Sequence, residues 1–218
     1  MKTFIKIMVL FLVISSCNRE KDLVFSCDPN INLMVHQKSA ELQSLNLDQF
    51  LSMNIEMQRA TFRSYTSQKR YELWNEKLQR VINSCEWEGS KLNHLIILKE
   101  FLTPDYFKDV NNLTELPHNQ YFVKNWLISA LTSLNMNKVE LSFLVSSLYF
   151  DYRKFLNDLT NQVDPNNPTG PCLCNVLSDF CSTPGEIKIC ISNGCITAEG
   201  GCGWLWLEAC NGQCVIIE

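Results

Sequence analysis

The sequence predicts a mainly α protein, in which a helical N-terminal domain is followed by a small disulfide-rich C-terminal module with a short antiparallel β-sheet. Apolar residues recur at spacings of three and four up to about residue 162, which is the period of an α-helix. Gly89 is the only glycine before Gly170, whereas six of the eight glycines lie beyond residue 171. Eight of the eleven cysteines also lie in that last segment, which is too short to fold on an apolar core alone.

Residues 31–162 are predicted to form an all-α domain of five or six helices joined by short polar connections. Each assignment follows from an apolar stripe along one helix face, or from a capping residue with proline at the first helical position. In chain order these are a helix capped by Ser67, a helix from Ser90, a helix start at Thr103–Pro104, a helix over 122–134 and the longest helix over 139–159.

A change of composition marks the end of the helical domain. Residues 163–171 hold three prolines and a glycine, which cannot continue a helix, so this segment is predicted to be a linker. Residues 172–218 form the module, which opens with a short turn or helix over 174–181. Its expected strands and turns are a strand with period-two alternation over 186–191, two further strands over 203–208 and 214–217, and turns at Asn193–Gly194 and Asn211–Gly212.

The N-terminus has the pattern of a secretory signal. A short cationic stretch ending at Lys6 precedes an uncharged apolar run over 7–14, which is well below the roughly 20 residues that a membrane-spanning helix needs. The segment Ile14-Ser15-Ser16-Cys17 resembles the lipobox of bacterial lipoproteins. This resemblance implies that a signal peptide over 1–16 is removed, that Cys17 is lipidated, and that 17–30 is a tether. An ordinary signal peptide with a chance cysteine at its end is the alternative.

Cysteine usage fits an exported protein. Once Cys17 is set aside, an even number of cysteines remains, as a fully paired disulfide set requires. Zinc binding is disfavoured, since there is no pair of Cys-x-x-Cys knuckles and no nearby histidine, and no thioredoxin-like redox motif is present. The predicted disulfide cysteines, whose pairing stays open, are Cys172, Cys174, Cys181, Cys190, Cys195, Cys202, Cys210 and Cys214.

Two cysteines outside the module remain. We expect Cys27 and Cys85 to form a bridge from the tether to the helical domain, because the compartment is oxidising. The alternative is that Cys85 is a small buried apolar residue and that Cys27 stays a thiol.

The module resembles a known bacteriocin family. The residues concerned are Cys172-Leu-Cys174, Ser178-Asp-Phe-Cys181, Gly200-Gly-Cys-Gly-Trp204 and Ala209-Cys-Asn-Gly212. On these residues the chain is similar to the bacteriocin fulvocin C-related proteins. The resemblance implies activity against related bacteria, with the linker as a cleavage site and the module as the released toxin.

Charge excludes some mechanisms. A formal net charge of −4 offers no basic surplus for nucleic acid, and the acidic module lacks the cationic surface that collects on anionic lipid. Membrane action would therefore rest on exposed apolar contacts of Trp204 and Trp206. The favoured alternative is that these two tryptophans share one strand face and pack the small core of the module.

The function predicted on this basis is that of an exported, membrane-anchored lipoprotein with a bacteriocin-like antimicrobial module. A non-toxic surface binding or structural protein, which displays the stapled module on a helical domain, is the alternative. The chain is not predicted to be an enzyme or to hold a cofactor or metal: catalytic motifs are missing, and His36, His94 and His118 are scattered. The expected partners are a membrane, through the lipid, and an unidentified envelope or protein target. The protein itself is expected in the cell envelope, as a lipoprotein of the outer membrane or cell surface.

Overall fold

The computed structural model describes three stretches of helical chain and most of the module. The described residues are 24–84, 86–108, 117–161, 172, 174–178, 180–183, 186–192 and 197–216. The signal peptide, Cys17, Cys85, the linker over 163–171, the Asn193–Gly194 turn and Cys195 lie outside the described residues.

The predicted fold class is confirmed, because the described chain is mainly helical and ends in short antiparallel strands with disulfides. Its helices are α1 (Pro29–Gln37), α2 (Ser39–Gln43), α3 (Leu47–Leu51), α4 (Ile55–Ser64), α5 (Ser67–Asn83), α6 (Gly89–Phe101), α7 (Pro117–Thr132), α8 (Lys138–Val145) and α9 (Tyr152–Asn161). A 3₁₀ turn over Pro104–Phe107 takes the place of the helix start expected at Thr103–Pro104. No helix of the described residues is both long enough and apolar enough to cross a membrane.

Side-chain caps fix several helix starts. Asp28 accepts hydrogen bonds from two backbone N–H groups in the first turn of α1. Asn137 and Glu140 form a reciprocal capping box on α8. The cap of α5 is Thr66, one residue before the predicted Ser67, and its hydroxyl accepts from the third amide of the helix. Such caps satisfy backbone donors that have no partner inside the helix.

The prediction of one long helix over 139–159 is wrong. The chain leaves α8 at Ser146, whose backbone angles (φ −125°, ψ 8°) are not helical. Asp151 then accepts a hydrogen bond from the Lys154 amide at 2.9 Å, which caps the start of α9. The apolar pattern continues across the break because both sides of it face the same core, so the pattern could not reveal the interruption.

The strands form two small antiparallel sheets instead of one. They are β1 (Ser182–Thr183), β2 (Glu186–Ile191), β3 (Ala198–Cys202), β4 (Glu208–Cys210) and β5 (Gln213–Ile216). The order is β1-β2-β5 in one sheet and β3-β4 in the other. The predicted first and third strands are therefore confirmed. Asn211–Gly212 is not a hairpin turn, since it joins β4 to β5 in the other sheet.

The strand predicted over 203–208 is wrong: Trp204–Trp206 forms a 3₁₀ turn. Gly203, Leu205 and Trp206 have φ of 65°, 51° and 60°, which places all three in the left-handed region. A strand cannot continue through such residues.

One hydrophobic core extends through both predicted domains. It includes buried side chains from the first helix to the last one and also the four residues of 204–207. Separate small clusters in the module consist of buried cysteines. The module is therefore joined to the helices by shared packing as well as by the chain.

Candidate functional site

The module is docked on the helices through four consecutive residues, Trp204–Leu207, which we call the docking segment. Each is at most 1% exposed. The indole Nε1 of Trp204 donates a hydrogen bond to the Tyr106 hydroxyl at 2.9 Å, and its ring packs edge-on against Trp126 with 5.4 Å between centroids. Trp204 is thus buried among helical residues and not in a core of the module.

Trp206 is held in the same way on the other side of the segment. Its Nε1 donates to the backbone carbonyl of Ser146 at 2.8 Å, at the end of α8. Its ring meets Phe62 of α4 edge-on, at 5.5 Å between centroids. The expectation of exposed tryptophan contacts is therefore wrong. The favoured alternative, a strand face that packs the module's own core, is also wrong.

The docking segment has a backbone that needs support from its surroundings. Leu205 and Trp206 adopt left-handed φ values without being glycine, which costs on the order of 1–3 kcal/mol each. Gly203 precedes them, and a Cβ there would collide with the carboxylate of Glu208. Such a conformation persists only where the surrounding packing fixes it, and here the packing comes from the helices.

Arg63 of α4 connects three parts of the chain. Its Nε donates to the Gly200 carbonyl at 2.9 Å, and its Nη1 donates to the Phe25 carbonyl at 2.6 Å. Its Nη2 lies 3.7 Å from the sulfur of Cys210. Burial lowers the pKa of Arg63 to about 10, which leaves it charged at neutral pH. One cation therefore fastens β3 and the N-terminal segment to α4.

The first described residues run along α1 beside the module. The Phe25 amide donates to the Asn32 side chain at 2.8 Å, and the Phe25 ring lies 4.8 Å from that of His36. Residues 24–28 belong to the predicted tether over 17–30, but they are part of the folded body.

Cys27 has a thiol that donates to the Thr197 carbonyl at 3.2 Å. Burial raises the pKa of this thiol. Cys27 therefore faces the module and does not form the expected bridge to Cys85 in this structure.

The described cysteines of the module are paired, as predicted. The disulfides are Cys174–Cys190, Cys181–Cys214 and Cys202–Cys210, and Cys172 is bonded to a partner outside the described residues. Three of these sulfurs, of Cys174, Cys181 and Cys190, lie within 4.8 Å of one another, which is the one described group with metal-ligand spacing. All three sulfurs are in disulfide bonds. They are therefore not thiolates, which is the form in which cysteine binds a metal.

A cavity of about 290 Å³ lies where the module meets α4, α8 and α9. Most of its wall is apolar. The apolar side chains include Ile55, Leu148, Tyr149, Phe155, Phe180 and Trp206. The module contributes several disulfide-bonded cysteines to the lining, among them Cys174, Cys181 and Cys202. The cavity therefore exists only while the module is docked.

Four charged side chains line this cavity at different depths. The Nε and Nη1 atoms of Arg59 are shielded from solvent, and burial lowers its pKa to about 10. Lys188 of β2 is only 4% exposed. Glu56 is exposed, and Asp158 is half-buried beside the Tyr149 hydroxyl, whose pKa is raised first by burial and then by that carboxylate. Two basic and two acidic side chains therefore line the cavity together.

These basic residues are not among the predicted site residues. Arg59 and Arg63 are four residues apart, so they share one face of α4, and this spacing was the available signal. Lys188 lies on the buried face of β2 because Cys190, two residues on, points inward to its disulfide with Cys174. The isoleucine at 191 is consequently on the outer face.

The three histidines occupy different places. His94 is stacked on Trp126 at 4.3 Å, and its Nε2 is 3.0 Å from the Trp126 carbonyl, so it is a satisfied core residue. His36 packs on Phe25, and His118 lies beside Phe101. The three histidines therefore lie against different aromatic partners and do not share one site.

No protein-family model, curated protein or solved structure matches this chain.

Proposed function

We propose that the protein is an exported, lipid-anchored binding protein of the bacterial cell envelope, in which the cysteine-rich module acts in place as one wall of the cavity. The observation that supports this proposal most strongly is the complete burial of the docking segment among the helices. A module with that attachment is an integral part of the fold.

The energy of the attachment favours a module that stays where it is. Full burial of a large apolar side chain contributes on the order of 1.5–3 kcal/mol, so the four residues of the docking segment contribute about 6–12 kcal/mol. Removal of the module would also open the helical core and leave the left-handed backbone of Leu205 and Trp206 without support.

The position of the anchor supports the same arrangement. Val24 lies seven positions after Cys17, and this stretch spans at most about 25 Å even when fully extended. The residues that follow are fastened to the module through Arg63 and Thr197. A lipid on Cys17 would hold the module close to the bilayer, and not at the distal end of a helical stalk.

Fractionation of the producing cells tests this proposal. The expected result is one chain that retains the module, found in the membrane fraction and released by detergent. A Cys17→Ser variant should lose this membrane association, because it cannot be lipidated. A fragment that begins near Pro171 and accumulates in the medium would overturn the proposal.

A bacteriocin-like toxin is the second candidate, as the family resemblance implies. The three described disulfides all close within 174–214, so a released module would remain cross-linked. Release would also expose the docking segment, which the helices cover in the intact chain. A medium fragment that kills related bacteria, together with an intact chain that does not, would favour this candidate.

A further inference from the structure

We propose that the open face of α1 lies on the membrane surface beside the lipid anchor, with Leu33 and Met34 in contact with phospholipids. The open face is defined below by its four residues. This inference rests on the proposed lipid anchor, and it names the surface of the protein that the anchor brings to the bilayer.

The open face of α1 consists of Asn30, Leu33, Met34 and Gln37, which follow the helical spacing of three and four and are all exposed. The other side of the helix packs on α4 and carries Val35, which is fully buried. The solvent side of a surface helix normally holds polar or charged residues. Here it holds two adjacent large apolar side chains, which are 55% and 39% exposed. Apolar surface is therefore available to a partner.

The anchor keeps this face near the bilayer. Val24 is 65% exposed, and at most about 25 Å of extended chain separates it from Cys17. The next residue, Phe25, donates its amide to the Asn32 side chain at 2.8 Å and packs its ring on His36, the ionisable residue of α1. The chain that comes from the anchor therefore meets the folded body at α1.

The charges around the open face do not oppose contact with phospholipids. None of its four residues is ionisable. At the start of α1, the Asp28 carboxylate accepts hydrogen bonds from the amides of Asn30 and Ile31. Just past the end of the helix, Lys38 lies 3.9 Å from Glu41. Binding to lipid would therefore depend on the apolar area of the face and not on cations.

A weak contact is sufficient next to an anchor. A short linker holds the two parts that it joins at an effective concentration in the millimolar range, so a contact of only millimolar affinity is occupied. Burial of apolar area at the boundary between head groups and acyl chains is favourable, and two adjacent apolar side chains contribute to it directly. The lipid and the open face would then act together to fix the orientation of the protein on the membrane.

Helix α7 has a comparable apolar stripe and supplies the matched control. Tyr121, Ile128 and Leu131 are exposed on one side of this helix, and Lys124 lies on the same side. Leu131 has the same side chain as Leu33 and is 45% exposed. Because α7 packs on α6 and the tether meets the fold at α1, we expect Leu131 to stay in water.

Photo-crosslinking tests the inference with the lipidated, oxidised chain. Leu33→p-benzoylphenylalanine and Leu131→p-benzoylphenylalanine are purified from the producing cells, reconstituted in vesicles of phosphatidylethanolamine with phosphatidylglycerol, and irradiated. Mass spectrometry then measures the yield of phospholipid adducts. The expected result is at least tenfold more lipid adduct at position 33 than at position 131. Equal yields at the two positions, or adducts of position 33 with protein alone, would overturn the inference.

A charge placed in the open face gives a second test. Met34→Asp, combined with the photoprobe at position 33, should lower the lipid adduct at least fivefold, because a carboxylate does not enter lipid. Leu131→Asp should leave that yield unchanged. Salt raised to about 1 M should also leave it unchanged, since the face has no cation to be screened. An undiminished yield with Met34→Asp, or its loss in salt, would contradict an apolar contact.

The inference and the proposed function fail in different ways. Lipid adducts are measured only on protein that is recovered with the vesicles. A chain that stays with the vesicles but gives no lipid adduct at position 33 overturns the inference and leaves the anchored protein as proposed. A chain that is absent from the membrane fraction of the producing cells removes both.

Discussion

Single buried cations hold the helices of this protein together at several places. Lys77 of α5 is completely buried, and its Nζ donates to the carbonyls of Phe143 and Leu144 at 2.9 and 2.5 Å. These carbonyls end α8, where the helix dipole favours a positive charge. The Trp74 ring lies 5.2 Å from the same Nζ. Desolvation nevertheless keeps the pKa of Lys77 well below its usual value.

Lys77 makes stability depend on pH in a defined direction. Between its lowered folded-state pKa and about 10.4 in the unfolded chain, the unfolded state binds more protons, so the contribution of Lys77 to stability rises with pH. The measurement is the free energy of unfolding of the wild type and of Lys77→Met, from urea titrations at several pH values. We expect the difference, wild type minus variant, to increase with pH over this range. Lys124→Met, on the exposed side of α7, should give no such difference. Parallel curves for the wild type and Lys77→Met would contradict the assignment.

Arg63 offers a second test at the level of one residue. Arg63→Met removes two charged hydrogen bonds and leaves the Phe25 and Gly200 carbonyls without their donor. We expect a loss of about 3 kcal/mol in urea unfolding, together with faster proteolysis near Phe25. The exposed Arg153→Met should change stability by no more than about 0.5 kcal/mol. Equal stabilities of the two variants would show that the Arg63 contacts do not fasten these segments.

At the scale of elements, the docking segment carries the attachment of the module. Trp206→Ala should cost about 3–5 kcal/mol, because it empties a large volume inside the shared core. Leu177→Ala is the matched control in the same module, since Leu177 is 91% exposed, and it should cost no more than about 0.5 kcal/mol. Urea denaturation monitored by far-ultraviolet circular dichroism compares them. A small effect of Trp206→Ala on the helical signal would contradict the shared core.

The disulfides of the module should differ in strength according to the loops that they close. Cys181–Cys214 spans 33 residues and Cys202–Cys210 spans 8. Chain entropy then gives about 3.7 and 2.5 kcal/mol, respectively. Replacing each pair by alanine should therefore destabilise the protein more at Cys181–Cys214, by about 1 kcal/mol. The reverse order in chemical denaturation would show that local packing outweighs loop length.

The sequence predicts a helix or strand well where its apolar residues follow a single clear period. It predicts less well where the conformation depends on contacts with residues far away in the chain. The alternation over 186–191 correctly predicts β2, but the face is decided by the bond from Cys190 to Cys174. All four residues of the docking segment are apolar, so they show no alternation of apolar and polar residues that could distinguish a turn from a strand. The Arg63 contact to Gly200 joins residues 137 positions apart, which local spacing cannot reveal.

At the scale of the whole molecule, the module and the helices form one body around a common core. Two features of the sequence suggested two bodies: the proline-rich segment over 163–171 and the abrupt rise in cysteine content. Both describe the local chain correctly, and neither reports on packing between distant segments. The docking segment, which joins the module to the helices, lies after the change in composition and within the module itself.

The most direct test of an integral module is to cut the chain and ask whether the pieces stay together. A protease site between Asn166 and Asn167 would be cleaved in the purified, folded protein. A Cys172→Ser background removes the one module disulfide whose partner lies outside the described residues. We predict that both pieces elute together in native size-exclusion chromatography and separate only in denaturant. Separation of a folded module from folded helices under native conditions would contradict the account.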